Sequence, residues 1–442
     1  MSGGGVPTSF RWRVWGRYHR DARLLLLATL IGGAAISLWW IDFYLYLGAI
    51  GLSPATFGVV GTMAALAGGI VAVPASAGSD RIGRRAVFGL GLAACIVALG
   101  VLLLAGAALP IIILAAMLWS SGTNAFNVVV SPYLVEHSEP EHRNELFATQ
   151  SAIANVTNVA AAILGAVVAT FVAGWLGFDP EGPATYRILL VLMALLLVLG
   201  LVIVRLLTDD RPGTEAGARL RRVGEPAAFP PDPRRRRSRL GITIRDKRRA
   251  TKILLPSFMI SVGAGQVIPY LNVFIKHRFG LDLTELNAVF AVTSLGTVAA
   301  ILFQPRLARR FGQISSVALV QAVSIPFLVV LGFSPVLWMV ITAMAVRSSL
   351  MNAGNPIFNA FAMEHVDPAE RASISAAMNV EWQLGWVIGG IWYSLGQALL
   401  GFDGGYAMNF AMVITLYTVA TALTWWWFHR LDRRTVAAPA VA

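Results

Sequence analysis

The sequence predicts an all-α integral membrane protein in which twelve transmembrane helices form two pseudo-symmetric six-helix bundles. Three observations support this fold class: the composition, the length of the apolar segments and an internal repeat. Of 442 residues, 57% are hydrophobic and 13% are charged, and the mean hydropathy is +0.68. A soluble domain usually carries about 25% charged residues. The composition therefore excludes an ordinary water-soluble fold.

Long apolar segments, separated by Gly, Pro and charged residues, set the number of helices. A helix needs about 20 residues to cross a hydrocarbon core of about 30 Å, and most of the segments exceed that length. The first segment is too long for the core of a signal peptide, so we expect it to be retained. The predicted helices are 24–49, 54–76, 86–106, 110–135, 146–174, 186–207, 252–275, 284–305, 314–333, 336–362, 373–398 and 405–428.

These helices divide the chain into five segments. They are a basic head (1–23), a first bundle (24–207), a Pro- and Arg-rich central loop (208–250), a second bundle (251–429) and a tail (430–442). The single cysteine, Cys95, lies inside an apolar segment. It excludes a disulfide framework and a Cys-based metal site, so we expect neither metal nor cofactor.

The distribution of Lys and Arg predicts the orientation, because positively charged loops stay on the cytoplasmic side. With the N-terminus in the cytoplasm, 31 of the 35 basic residues fall in cytoplasmic segments, and only Arg187, Lys276 and Arg278 fall outside. We therefore expect both termini in the cytoplasm and a location in the cell membrane, either plasma or bacterial inner membrane. The net charge of +12 fits a basic face beside anionic lipid, so no nucleic-acid partner is expected.

A repeated segment indicates that the second half of the chain duplicates the first. Residues 136–143 (EHSEPEHR) are echoed by residues 364–371 (EHVDPAER), at an offset of 228. At an offset of 229, residues 51–52 match residues 280–281, and residues 81–83 match residues 310–312. The repeat predicts two similar six-helix halves related by an axis along the membrane normal.

Polar residues follow single faces of several predicted helices. Because polar groups in hydrocarbon are costly, these faces should look into the protein, either to join helices by hydrogen bonds or to wall an aqueous cavity. The two stripes that the repeat relates favour a cavity. They are Ser120, Asn124, Asn127 and Ser131 on the fourth helix, and Ser348, Asn352, Asn355 and Asn359 on the tenth. Shorter stripes are Ser151, Asn155 and Asn158 on the fifth helix, and Asn379 and Gln383 on the eleventh.

The loop between the second and third predicted helices, residues 76–85, has the sequence SAGSDRIGRR. It resembles the signature loop of the major facilitator superfamily, Gly-x-x-x-Asp-Arg-x-Gly-Arg-Arg, and the helix count, the duplication and the central loop agree over essentially the whole chain. The resemblance implies that family's fold and transport across a membrane. Ser76 replaces the usual first Gly, and the second copy is degenerate, with Pro305 and Arg309 at the Gly and Asp positions.

In the family, this loop is regarded as a latch that holds the two halves together on the cytoplasmic side. An Asp beside three Arg on a tight glycine turn can cap a helix N-terminus while the Arg groups reach neighbouring carboxylates. The alternative is a basic turn without this role. By resemblance, the latch residues are Asp80, Arg81, Gly83, Arg84 and Arg85, with Glu136 as the expected carboxylate partner.

Two patterns of the family are absent from the sequence. The fourth-helix Arg that is common in proton-linked members is missing, and Leu118 and Trp119 stand about where it would lie. The fifth helix has Gly165 but not the Gly-Pro signature of drug antiporters. Both absences weaken an assignment to drug efflux.

Three charged residues lie within predicted helices, where ionisable side chains are candidates for function. Arg347 and Glu381 come out near mid-membrane on faces directed away from the predicted cavity, so we expect an ion pair between adjacent helices. A role in handling protons or substrate is the alternative. Asp42 lies among five aromatic residues between 39 and 46. They predict an aromatic belt with a carboxylate that reaches the surface. Resemblance favours the alternative, a proton-coupling site, because first-helix acids often have that role in antiporters of the family.

Gly and Pro residues between 261 and 272 give the seventh helix a place to bend. The resemblance places this helix at the cavity, which makes Gln266, Tyr270 and Asn272 candidates for substrate contact. Glycines that only pack helices together are the alternative.

The combined pattern predicts a secondary active transporter for a small organic solute, coupled to protons, with efflux favoured over uptake. A lipid translocator on the same fold is the alternative. An enzyme is a remote alternative because the sequence lacks His, Asp and Glu clusters at one depth, and no ATP-binding Walker loop occurs. We expect a small-molecule substrate, contact with membrane lipid and a monomer, because the two halves enclose a complete pathway.

Overall fold

The computed structural model describes residues 18–104, 106–138, 143–211, 214, 246–296, 313–367 and 370–436. These residues form helices and turns, and no β-strand occurs among them. The four arginines at 234–237 and the degenerate second copy of the loop, around Pro305 and Arg309, lie outside the described residues.

The first half contains six helices: α1 (Arg20–Ala49), α2 (Pro54–Ile82), α3 (Arg84–Leu104), α4 (Leu109–Glu136), α5 and α6 (Pro183–Arg205). Helix α5 begins as Arg143–Val167, passes through a π-helical turn at Val168–Val172 and ends as Ala173–Leu176. Proline stands in the first turn of α2, α4 and α6, where its missing N–H removes no helical hydrogen bond.

The second half begins with α7, which runs from Lys247 to Val267, is interrupted by a 3₁₀ turn at Ile268–Tyr270 and ends as Leu271–Phe279. The interruption contains Pro269, as the predicted bend requires. The next helices are α8 (described at 283–296), α9 (Gln313–Phe333) and α10 (Leu337–Glu364). The run Arg371–Val436 is helical except at Gly401, whose φ of 71° divides it into α11 before and α12 after.

Nine helical runs in the described part of the chain are long and apolar enough to cross a membrane. One of the nine, Ser373–His429, contains both α11 and α12. The apolar part of α10, Leu337–Met351, is shorter, and the described part of α8 ends before a full crossing. The prediction of an all-α, multi-pass membrane fold is confirmed.

The repeated segments adopt the same conformation at the ends of α4 and α10. Each helix ends at the Glu of the repeat, and the His that follows makes a hydrogen bond through Nδ1 to the carbonyl oxygen four residues earlier. His137 stacks on Tyr133 with ring centroids 3.9 Å apart, and His365 stacks on Phe361 at 4.1 Å. The sequence repeat is therefore also a structural repeat.

Contacts between the halves close one end of the bundle. We call that end the α1–α2 face, after the turn that it carries, and the opposite end the α2–α3 face. Hydrogen bonds and one ion pair join the halves between mid-depth and the α1–α2 face. The pairs are Ala55–Ser394, Thr62–Val387, Ile41–Asn272, Thr170–Thr284, Glu181–Lys276 and, at mid-depth, Asn124–Gln383.

Two glycines let α2 and α11 approach closely at the α1–α2 face. A Cβ atom at Gly58 would contact the carbonyl oxygen of Gly390 and lie 2.7 Å from Cβ of Ser394. A Cβ atom at Gly390 would lie 2.5 Å from Oγ1 of Thr62. Backbone neighbours cannot move aside as a flexible side chain can, so the small residues are what allow this close helix pair.

We predict that Gly58→Ala opens the α1–α2 face, because the added methyl group overlaps α11 in the closed state. A Thr62→Cys reporter at the same interface should react several-fold faster with a water-soluble maleimide in the Gly58→Ala background. Gly100→Ala is the matched control, since nothing lies within 4 Å of a Cβ at that position. Equal labelling rates in the two backgrounds would show that the glycine contact does not hold the face closed.

Candidate functional site

Two cavities lie between the halves. The first has a volume of about 340 Å³ and is bounded by α1, α2 and α4 of the first half and α7 and α11 of the second. We call it the aromatic cavity, because eight of its lining residues are aromatic: Trp39, Trp40, Phe43, Tyr44, Trp119, Tyr270, Trp382 and Trp386. Its polar lining residues are Ser120, Thr123, Asn124, Asn127 and Gln383.

The second cavity has a volume of about 540 Å³ and is bounded by α1, α5, α7, α8 and α10. Hydroxyl and amide side chains and one cation line it, so we call it the polar cavity. Trp40 lines both cavities and is 48% exposed. The polar lining residues are Ser37, Ser151, Asn155, Asn158, Thr293, Ser294, Arg347 and Ser348.

The internal repeat relates the two cavities. Helices α1, α2, α4 and α11 line the aromatic cavity, and their repeat partners α7, α8, α10 and α5 line the polar one. At an offset of 228, Trp119 and Ser120 of α4 correspond to Arg347 and Ser348 of α10. The two cavities therefore occupy equivalent positions in the two halves.

The chemistry of the equivalent positions differs on three helix pairs. Ala64 and Ala65 of α2 line the aromatic cavity. The equivalent residues of α8, Thr293 and Ser294, line the polar cavity. The aromatic residues of α11 correspond to small or polar residues of α5. The pairs are Trp382 with Ala154 and Trp386 with Asn158, whereas Gln383 corresponds to another amide, Asn155.

Arg347 lines the polar cavity, so the prediction that it points away from the cavity is wrong. The polar cavity extends around α10 toward α8, and α10 therefore presents more than its polar stripe to it. The guanidinium donates from Nη2 to the hydroxyl of Tyr417 at 3.1 Å and lies 5.7 Å from the centre of that ring. Its Nε has no hydrogen-bond partner, and the residue is 5% exposed.

The expected ion pair between Arg347 and Glu381 is not formed, although the structure describes both side chains. Glu381 instead faces Ser257 of α7, and neither carboxylate oxygen has a hydrogen bond of normal geometry. The helical rise placed both residues at a similar depth. It carried no information on which neighbouring helix each side chain would meet.

Asp42 is 2% exposed, so it does not reach the surface as the aromatic-belt hypothesis required. It lies near Tyr186 of α6, both carboxylate oxygens lack a hydrogen-bond partner, and it lines neither cavity. The surrounding aromatic side chains are mostly buried in the protein: Trp39 stacks on Phe43 at 4.0 Å and on Trp119 at 4.2 Å. The belt is therefore an internal cluster.

The polar stripes have mixed outcomes. Asn124 and Asn127 of α4 line the aromatic cavity, and the α5 stripe lines the polar one. On α10, Asn359 is exposed near the α2–α3 face, and the side chains of Asn352 and Asn355 lie outside the described residues.

Of the three α7 candidates, Tyr270 alone lines one of the two cavities. Gln266 is fully buried and donates to the carbonyl oxygen of Val262. Asn272 donates to the carbonyl oxygen of Ile41, so it ties α7 to α1. Gln266 and Asn272 line neither of the two cavities, contrary to the prediction, because their amides make hydrogen bonds within α7 and between α7 and α1.

The profile of the Major Facilitator Superfamily matches residues 22–390. The chain belongs to this superfamily. No curated protein sequence matches it, whereas many solved structures share its fold. The nucleoside transporter NupG aligns with a TM-score of 0.68 and 13% identity, over 91% of this chain and 100% of that chain.

Two other solved members of the superfamily have the same fold. A bacterial homologue of the human lysosomal transporter Spinster, in an inward-facing and occupied conformation, aligns with a TM-score of 0.66 and 15% identity, over 95% of this chain and 98% of that one. A D-xylose–proton symporter aligns with a TM-score of 0.69 and 12% identity, over 91% and 96%. Identities this low show the fold and leave the substrate open.

The signature loop of the superfamily is anchored within the first half. Arg84 forms an ion pair with Glu136, the predicted partner, at 2.8 Å. Arg85 donates to the carbonyl oxygen of Arg205 at 2.6 Å, and Arg81 is exposed. The side chain of Asp80 lies outside the described residues. These contacts hold the loop against α4 and α6, and none of them reaches the second half.

The cap of α3 was not predicted from the sequence. Asp210, beyond the end of α6, accepts hydrogen bonds from the backbone N–H groups of Arg84 and Arg85, so Asp210 caps this helix. Gly83 has a φ of 87°, and a Cβ there would lie 2.7 Å from Oδ1 of Asp210. Only glycine fits both constraints. Asp210 lies in the polar central loop, where nothing in the sequence singles it out.

A buried Asp–His pair near this loop was also missed. Nε2 of His137 lies 3.6 Å from the carboxylate of Asp21, and both side chains are almost completely buried. Burial lowers the pKa of His137 below its usual value of 6.5, and this effect outweighs the hydrogen bond to Tyr133 and the charge of Asp21, which raise it. His137 is therefore neutral in the folded protein at pH 7.

We predict that His137 makes the protein less stable as the pH falls below about 6.5. Below that pH, the unfolded chain binds a proton at His137 before the folded protein does. The free energy of unfolding therefore falls until the pH reaches the lower pKa of the folded state, by about 1.4 kcal/mol for each unit of difference between the two pKa values. His137→Gln should reduce the fall in melting temperature between pH 7.5 and 5. The control is His365→Gln, at the equivalent helix end. An unchanged pH slope in His137→Gln would contradict the assignment.

Proposed function

We propose that this chain is a secondary active transporter that moves a small organic solute by alternating access between its two halves. The observation that carries the proposal is the pair of cavities between the halves, closed toward the α1–α2 face by contacts between the halves. In this mechanism, rocking of the halves exposes a central site to each side in turn. A nucleoside transporter and a D-xylose–proton symporter have this fold, so the fold can carry small organic solutes.

The distribution of Lys and Arg indicates which face of the protein points to the cytoplasm. With 31 of 35 basic residues on the segments that include the α2–α3 loop, that face is assigned to the cytoplasm, where positive loops remain. The closed α1–α2 face then points outward, as an inward-facing state requires.

The size of the cavities favours a small solute over the alternative, a membrane lipid. Volumes of about 340 and 540 Å³ fall within the roughly 300–1,000 Å³ of sites for drug-sized ligands. The monomer is the proposed functional unit, because both cavities are enclosed by one chain.

Asp42 and Glu381 support coupling to protons. Each is a carboxyl group within a membrane-spanning helix whose oxygens lack hydrogen bonds of normal geometry. An ionised carboxylate without a partner is costly in such surroundings, so each group is suited to hold a proton in this state. Release would follow if the rocking motion exposes the group to water.

The test is transport by the reconstituted protein under an imposed pH gradient, with a panel of nucleosides, sugars, amino acids and organic acids as solutes. Wild type should accumulate at least one of them, and the direction of accumulation distinguishes export from uptake. If Asp42 couples the proton, the Asp42→Asn variant should lose gradient-driven accumulation but keep exchange of solute for solute. If Glu381 couples it, the Glu381→Gln variant should behave in this way. Full accumulation by both variants would exclude these residues from coupling.

A further inference from the structure

The two equivalent cavities differ in chemistry, since eight aromatic residues line one and a cation lines the other, and this difference bears on what the transporter carries. Trp40 lines both cavities, so the two cavities adjoin at this side chain. We propose that the substrate is a small organic anion with a flat, apolar body, whose anionic group binds Arg347 in the polar cavity while its body lies in the aromatic cavity. This inference rests on the transport function proposed above and narrows its substrate class.

The polar cavity carries a positive charge, which Arg347 supplies. No acidic residue lines it among the described residues, and no described carboxylate lies within ion-pair distance of Arg347. Its one hydrogen bond goes to the neutral hydroxyl of Tyr417, and its Nε is left without a partner. A guanidinium buried to this extent is stabilised mainly by a negative charge. The cavity wall beside it is where such a charge can bind.

The aromatic cavity is walled by flat aromatic rings. Trp39 is stacked nearly parallel to Trp119, with an interplanar angle of 11°, and Trp40 meets Trp386 edge to face at 79°. Walls made of flat rings offer the stacked and edge-to-face contacts that aromatic ligands prefer. Nε1 of Trp386 is buried without a hydrogen-bond partner, so this wall also offers one donor to an acceptor on the ligand.

The two copies of the repeat have diverged at the cavities. Trp119 and Arg347 occupy equivalent positions on α4 and α10, and both line their cavities. Thr293 and Ser294 line the polar cavity together with Arg347. The equivalent residues in the aromatic cavity, Ala64 and Ala65, are alanines. A charge that served only to join helices would not require the cavity wall around it to become polar as well. The hydroxyl group of Ser294 can donate to an anion, whereas that of Thr293 already donates to the carbonyl oxygen of Val289.

The experiment measures binding of four probes to full-length protein in nanodiscs of neutral phosphatidylcholine, by quenching of tryptophan fluorescence. The probes are 2-naphthoate, its neutral amide, the cationic 2-naphthylmethylamine and cyclohexanecarboxylate. Wild type should bind 2-naphthoate at least tenfold more tightly than the amide, as expected for a charge-assisted hydrogen bond, and more tightly than the non-aromatic acid. The cationic probe should bind most weakly.

Variants locate the anion site. Arg347→Gln should bring the acid and the amide to within about twofold of each other while the affinity for the amide is kept, which also shows that the variant is folded. Arg347→Lys should retain part of the preference. Arg278→Gln is the matched control, because Arg278 donates to the carbonyl oxygens of Gly332 and Phe333 outside both cavities.

The remaining outcomes separate this inference from the transport function. Equal binding of acid and amide by wild type, or an unchanged preference in Arg347→Gln, would overturn the anion site even if the reconstituted protein transports a neutral or cationic solute. Displacement of 2-naphthoate by low concentrations of phosphatidylglycerol would identify a lipid headgroup as the anion and overturn the small-solute form. Binding that behaves as expected, with no movement of 2-naphthoate across a reconstituted membrane, would overturn the assignment of the anion as substrate.

Discussion

Polar groups inside a membrane must find their partners within the protein, because hydrocarbon offers no hydrogen bonds. This constraint accounts for most polar side chains of the bundle. Thr29, Thr123, Asn155 and Thr293 each donate to a carbonyl oxygen three or four residues earlier in their own helix. Others join helices, as Ser37 does with Asn158. Among the described residues, the side chains with a buried polar atom that lacks a hydrogen bond include the three intramembrane charges, Asp42, Arg347 and Glu381.

Each unsatisfied charge has a distinct environment. Arg347 lines a cavity, Asp42 is enclosed between α1 and α6, and Glu381 faces α7 within the second half. Unpaired charges are costly, so their presence at three separate places favours functions that supply the missing partner: a proton for the acids and an anion for the arginine. Closure of the α1–α2 face by glycine contacts keeps these sites away from one side of the membrane in this state.

The parts of the fold that depend on one helix at a time could be predicted from the sequence. Apolar length gave the helices, the repeat gave the equivalent ends of α4 and α10, and the signature loop gave the ion pair of Arg84 with Glu136. The cavity face of α4 followed from its polar stripe, because Asn124 and Asn127 had to face inward.

Features that depend on which helices are neighbours could not be predicted. Lipid chains are as apolar as a protein core, so the aromatic residues around Asp42 had the same pattern whether they faced lipid or α4 and α6. The pairing of Arg347 with Tyr417 rather than Glu381 depends on the rotation of three helices. The offset of 228 did contain one further signal about Arg347. It gives Arg347 the position equivalent to that of Trp119, which lines the aromatic cavity.

The central claim is that the halves rock around the two cavities, and distances between spin labels test it most directly. In a Cys95→Ser background, one label pair at Ser53 and Asp403 reports the α1–α2 face, and a second pair at Ser138 and Asp367 reports the α2–α3 face. We predict two populations in lipid, in which a longer distance at one face accompanies a shorter distance at the other. A single distance at each face, unchanged by pH and by bound solute, would contradict alternating access.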